Sequence, residues 1–482
     1  MNPKCVNQIR SALAYPGLRR VIRQRYWVLF QRDIWPFTWP IFIELTCVVM
    51  MGIISTILVS RLGAQETAAV GITDSITWVV ISLLSAIALG GSVVIAQAFG
   101  RLDRQKAEDC ASQVMSLSVL MSLCALVLIY CLVTPVISVV AYGATEQVMN
   151  LSELYLQLIV FSYPALAITL AGSGVLRAVG NSRLPALSNI LMNLLNVAFS
   201  YPLIYGTDAF FPGSWSGLGV VGSGIGVIAA RWMGALLILV CLVKNSVLRV
   251  RLQQYFRPFQ RETLVEILAI GIPSSVESLM FNLGKLITQI MVAGMGTVAM
   301  AGNVVTFSVL LLLNIPGNTL AMTSTVLIGK RLGQHKPNVA SQEMKLIFWL
   351  ATGLLTLFAC LIVPMAETIA RFYIADDQVV GVVTHLLLIN ALMTPVWGAS
   401  FVLPAAFKGA RDATFCMWVA IASMWGGRMI LGYFLGITLG MNIYGVWLGM
   451  YADWWIRGSI YFYRMVTQGW LSVYRRHSPR VN

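Results

Sequence analysis

The chain has 482 residues, 58% of them hydrophobic and 11% charged, with a formal charge of +14. Soluble domains carry roughly a quarter charged residues, so this composition excludes a water-soluble globular protein. The net charge does not point to nucleic acid, because its placement follows the pattern of a membrane-embedded chain.

Residues 1–35 hold seven Lys and Arg and no short apolar core followed by a small-residue cleavage site, so they read as a basic tail. Helices are expected near 36–60, 68–98, 111–141, 151–176, 185–206 and 217–243, forming a first lobe over 36–243. A basic linker at 244–264 leads to a second lobe over 265–463. Its helices are expected near 265–293, 300–329, 346–371, 378–407, 414–437 and 441–463, and a tail at 464–482 follows. The predicted fold class is an all-α integral membrane protein of twelve transmembrane helices. Of 33 Lys and Arg, 27 fall in the tails and the loops of one side, while Arg61 and Arg371 lie at the opposite edge. Basic loops stay cytoplasmic, so both termini are expected in the cytoplasm. Anionic lipid headgroups account for the charge without a nucleic-acid partner. Eight cysteines are scattered without a CxxC spacing and suit apolar packing, so no metal site and no cofactor is expected.

The sequence also contains a duplication. Residues 40–100 match 273–333 at a constant shift of 233, with 13 identities in 61 positions. Identities among Ile, Val and Ala mean little, but Pro40/Pro273, Glu44/Glu277, Gly63/Gly296 and Gly100/Gly333 are harder to dismiss. Pro164 and Arg177 match Pro395 and Lys408, and Gly219, Val220 and Arg231 match Gly445, Val446 and Arg457. Two six-helix lobes in the same order predict parallel pseudo-symmetry, which places transporter sites between the repeats.

A charge inside a bilayer costs roughly 2.5–3.5 kcal/mol or more, so it usually faces the interior and acts there. Four acids qualify: Glu44, Asp74, Glu277 and Asp453. Glu277 is the first choice for ion coupling, because a carboxylate partly removed from water holds its proton more tightly. Lys285 lies two turns further on, roughly 12 Å along the axis and broadly on the same face. The alternative for Glu277 is a structural anchor near the basic loops. Glu44 suits a gate or structural role as well as coupling, and Asp74 suits coupling, substrate contact or an interfacial role. Asp453 and Arg457, spaced i, i+4, read as a structural pair. Arg231 has Val227 where an acid would be needed, so it reads as the freer cation. Arg428 reads as structural and His385 as interfacial. Asn193 and Asn196 belong to a polar stripe on helix 5 that could line a wet cavity or bond across helices. Trp78 and Trp397 are named as cavity walls, and Pro316–Gly317 as a bend in helix 8.

Several segments resemble one family. "GNSRLPALSNILMNLLN", "YPLIYG" and "GLGVVGSGIG" are similar to the loop and the fifth and sixth helices of MATE multidrug and toxin extrusion transporters. "AQAFGRLDRQKAE" resembles that family's end of helix 2, and "MGTVAMAGNVV" its link from helix 7 to helix 8. The resemblance implies a two-lobed, V-shaped, monomeric antiporter of the bacterial inner membrane that exports small organic compounds, driven by H⁺ or Na⁺. Within the family the chain looks closest to members thought to export flavin nucleotides. Some members carry a proton-sensitive pair of aspartates in helices 1 and 5; the matching positions here are Ser55 and Ser200. No acid lies in helix 10, where some sodium-coupled members have one, which weighs against Na⁺. Substrates are expected to be planar and neutral, zwitterionic or anionic, with Lys285 or Arg231 meeting the anion. A lipid-linked precursor flippase of the same superfamily is the alternative, although such proteins commonly have fourteen helices. An enzyme is not expected: there is no Walker motif and no nucleophile with a base at useful spacing.

Overall fold

The computed structural model describes residues 26–141, 144–206, 217–244 and 259–477. Most of the expected N-terminal tail, the middle of the basic linker and the last residues of the C-terminal tail lie outside the described residues. Twelve long helices make up the rest. The first lobe contains α1 (Tyr26–Ser60), α2 (Ala64–Gly100), α3 (Arg104–Cys131), α4 (Glu146–Ala178), α5 (Arg183–Tyr205) and α6 (Val220–Val243). The second contains α7 (Arg261–Ala293), α8 (Thr297–Leu313 continued by Ile315–Gly333), α9 (Pro337–Tyr373), α10 (Asp377–Gly409), α11 (Ala413–Thr438) and α12 (Asn442–Val466).

Ten of these are by themselves long and apolar enough to cross a membrane, and α8 makes eleven when its two bent pieces count as one span. The twelfth, α12, has 25 residues but carries Asp453, Arg457 and Arg464. Its charges are not set against lipid: Trp447, Tyr451, Asp453 and Arg457 are all buried. Several helices start earlier or end later than the apolar runs that announced them, because they continue into the polar edges. Thus α3 begins at Arg104, where the Asp103 side chain accepts from the Lys106 amide at 3.0 Å. It breaks after Cys131, the residue whose carbonyl Pro135 cannot bond, and resumes as the short helix Val133–Val140. The expected bend in α8 is present: its halves meet at 48°, with Pro316 in the first turn of the second.

The duplication extends to the backbone. Left-handed residues recur at equivalent turns: Gly63 and Gly296, Leu102 and His335, Gly180 and Arg411, Gly206 and Gly440. Leu102 and His335 have φ of 63° and 55°. Such values are uncommon outside glycine, so their recurrence is firmer than identities among apolar residues.

The lobes meet through one face of α2. Gly90 packs on the backbone of Ile267 and Gly271 in α7, and Ser82 accepts from the Asn282 amide at 3.4 Å. Residues 71, 75 and 78 continue this stripe by successive turns and are exposed. The lobes therefore converge at the edge where the basic residues cluster and part toward the other, which gives the V shape. At the apex the repeat-equivalent glycines touch. A Cβ on Gly100 would lie 2.3 Å from the Lys330 carbonyl oxygen, and one on Gly333 would lie 2.2 Å from that of Gln97. Backbone cannot yield by that much, so Gly333→Val is expected to hold the lobes apart at the basic edge. Cys110, fully buried on α3, reports this: with the other seven cysteines replaced, its maleimide labelling should be several-fold faster in Gly333→Val. Equal rates would contradict the packing.

Candidate functional site

The four acids expected inside the helices all find cations. Glu44 of α1 accepts from Arg177 at the end of α4 at 2.5 Å. Glu277 of α7 lies 2.8 Å from the Lys408 ammonium at the end of α10. Under the duplication these are the same pair twice, and in each lobe a proline inside the helix, Pro40 or Pro273, lies four residues before the glutamate. The N-terminal copy is drier, with side chains 10% and 7% exposed against 15% and 16%. The chain matching had aligned both columns without bringing the acid of one helix to the base of another.

Asp74 of α2 lies within electrostatic reach of Arg231 on α6. Arg231 also donates to the Ser162 hydroxyl at 2.7 Å. The cation read as freer from sequence is thus engaged from two sides, because its partners come from α2 and α4 rather than from its own helix. Asp453 is likewise held by more than the local pair: Arg457 at 3.2 Å is joined by Arg428 at 3.3 Å.

The asparagine stripe on α5 turns toward α1. Asn193 donates to the Cys47 carbonyl and Asn196 to the Ser55 hydroxyl, at 2.9 and 3.0 Å, while Ser200 donates to Asn196 at 3.0 Å. Ser55 and Ser200, the positions where the resemblance expects two aspartates, are therefore joined through Asn196 by a neutral chain of hydrogen bonds. Such a chain binds α1 to α5 without a titrating group. Trp78 stands on the exposed stripe of α2 that faces the gap between lobes. Trp397 does not line a cavity: it is 3% exposed, stacks on Phe401 at 4.6 Å and fills the space beside Gly317 at the bend of α8. Lys285 is exposed and lies 5.2 Å above the Phe281 ring.

The basic edge carries polar contacts that sequence reading did not single out. Glu266 at the start of α7 accepts from Lys106 of α3 and from Arg411 of the α10–α11 turn, both at 2.7 Å. Arg411 also donates to the Gln97 side chain, whose amide reaches the Gly409 carbonyl. Asp33 of α1 meets Arg331 of α8 at 2.7 Å. Asp33 and Glu266 stand 233 residues apart, so each lobe sends the same acid across to a base of the other. The signal was available seven residues before the matched segment begins. These side chains are 15–36% exposed, and water at this edge screens such pairs enough for them to open and re-form.

Two duplicated helical lobes closed at one edge, with paired charges inside each, define a membrane transporter. The MatE family profile matches residues 40–202 and 273–434, one match per lobe. The chain belongs to the MatE family of multidrug transporters. It is 26% identical over 440 residues to the uncharacterized transporter YisQ of Bacillus subtilis, covering 91% of this chain and 95% of that one. It is 24% identical to the multidrug resistance protein PmpM of Pseudomonas aeruginosa, over 83% of this chain and 82% of that one. Among solved structures, the outward-facing conformation of a multidrug resistance MATE family transporter superimposes with a TM-score of 0.82. That match has 18% identity and covers 91% of this chain and 95% of the other. A MOP superfamily transporter from Pyrococcus furiosus, described as having a binding pocket of reversed polarity, superimposes at 0.76 with 20% identity over 91% and 94% of the chains.

Breaking a buried pair strands a charge at a cost of about 3–5 kcal/mol, whereas removing both partners costs far less. Arg177→Met should therefore sharply lower the melting temperature in detergent, and Glu44→Gln in the same chain should restore most of the loss. A double variant as unstable as the single one would show that the pair does not act as a unit.

Proposed function

We propose that this exporter is driven by inward protons and that Glu277 is the coupling group. Its termini would be cytoplasmic, in a bacterial inner membrane, with the basic edge facing inward. The observation that carries the reading is the Glu277–Lys408 pair. It ties α7, which packs against the other lobe, to the end of α10, and a proton on the carboxylate removes the attraction. Glu277 lies just on the basic side of Asn282, the most central point at which the described residues join the two lobes by a hydrogen bond. A change in that tether is thus felt where the lobes part. Asp74–Arg231 is the second coupling reading, favoured by the position of Asp74 beside the open half of the gap. The neutral Ser55–Asn196–Ser200 chain supplies no proton acceptor, which moves coupling away from the α1–α5 contact.

The relatives named as multidrug resistance proteins support organic compounds as cargo, and the twelve-helix plan favours export over flipping of a lipid-linked precursor. Planar amphipathic compounds, flavin-like metabolites among them, fit a cleft bordered by aromatic side chains such as Trp78. The test is uptake into inverted vesicles under separately imposed proton and sodium gradients. Proton-driven uptake is expected, falling at least tenfold in Glu277→Gln while equilibrium binding in detergent is retained. Uptake driven by sodium alone would overturn proton coupling, and undiminished uptake by a well-expressed Glu277→Gln protein would transfer the role to Asp74.

A further inference from the structure

One cluster in the second lobe, two buried arginines and an exposed lysine, carries more positive charge than the carboxylate beside it neutralises. Arg428 and Arg457 share one oxygen of Asp453, and Ser423 donates to the other at 2.7 Å. Lys285 adds a third cation: its ammonium and the Arg428 guanidinium each lie 5.2 Å from the centroid of Phe281. Among the described residues no carboxylate comes within ion-pair distance of Lys285. Lys285 and Arg428 are near enough to repel, as are Arg428 and Arg457. One carboxylate against three cations leaves an excess of two charges.

Three donors in the same place lack a protein acceptor: Nε of Arg428, Nε of Arg457 and the indole N–H of Trp454. Their residues are 2%, 4% and 5% exposed. A buried donor without an acceptor is costly, and unbalanced charge in a dry site costs more. An anion relieves both at once. The aromatic surface beside it is also present: Phe401 carries the Arg457 guanidinium at 4.7 Å and meets Phe281 edge-on at 6.3 Å. Access is through Lys285, which is exposed and lies three residues beyond Asn282, where the lobes part. In the other lobe Arg231 faces Asp74 one to one.

We infer that this cluster binds the anionic end of an aromatic substrate: an aryl carboxylate, sulfonate or phosphate. Lys285 meets the anion at the cleft, the ring lies beside Phe281, and Asp453 holds the two arginines in place behind. The substrate class rests on the exporter reading; the binding does not. Three pyrene probes sharing one ring test it on the purified full-length protein: pyrenesulfonate, pyrenemethanol and a pyrenyl trimethylammonium salt. The sulfonate should bind at least tenfold more tightly than the ammonium salt. Lys285→Met should weaken the sulfonate about tenfold, close to 1.4 kcal/mol, and leave pyrenemethanol unchanged, while Lys285→Arg retains the preference. Equal or tighter binding of the ammonium salt, or sulfonate binding indifferent to Lys285→Met, would overturn the inference. Vesicle uptake separates the two readings. Lys285-dependent anion binding without gradient-driven uptake would support the site and count against export, whereas uptake by a protein that binds all three probes alike would sink only the site.

Discussion

A carboxylate inside a bilayer persists only with a cation beside it, and this chain meets that demand twice with one construction. A glutamate one turn past a proline, on the first helix of each lobe, takes the base that ends the fourth. The bond joins α1 to α4 and α7 to α10, so these two helices of each half cannot move independently without stranding a charge. On this account each lobe moves as one body, and motion concentrates where the lobes touch.

That contact is built to be close and weakly bonded. Gly100 and Gly333 let the backbones of α2 and α8 approach so nearly that no side chain fits between them. Around them, Asp33–Arg331 and Glu266–Lys106 cross between the lobes from repeat-equivalent acids to bases at non-equivalent positions, in partly wet surroundings. Steric fit sets the geometry, and modest ion pairs set how readily it opens. The driest pairs, Glu44–Arg177 and Asp453 with its two arginines, lie within lobes, and the pairs between lobes are wetter. That ordering is what a protein that rocks two rigid halves requires.

The fold was largely legible in the sequence, because bilayer thickness, apolar length and charge placement leave few alternatives. The duplication announced itself through Glu44/Glu277 and Gly100/Gly333, and the bend at Pro316 followed from its missing N–H. The site was less legible. Glu44 and Arg177 are 133 residues apart and pair only because α1 and α4 meet at one end, which no local spacing reveals. Arg231 has no acid at i−4 on its own helix, and Asp74 reaches it from another. Arg428 and Lys285 are far apart in the chain and converge on one ring, Phe281. Asn193 and Asn196 had two readings of equal standing, and the position of α1 decided how their donors are used.

The central claim is that the two lobes are rigid bodies held together at the basic edge by reciprocal ion pairs. Spin labels at Ser60→Cys and Ala293→Cys, exposed at the far ends of α1 and α7 in a chain freed of its other cysteines, measure the opposite edge directly. With the pairs intact, the interlabel distance should be long and narrowly distributed. With Asp33→Asn and Glu266→Gln together, a second, shorter population should appear as the basic edge opens and the far edge closes. An identical distance distribution in both proteins would contradict the account.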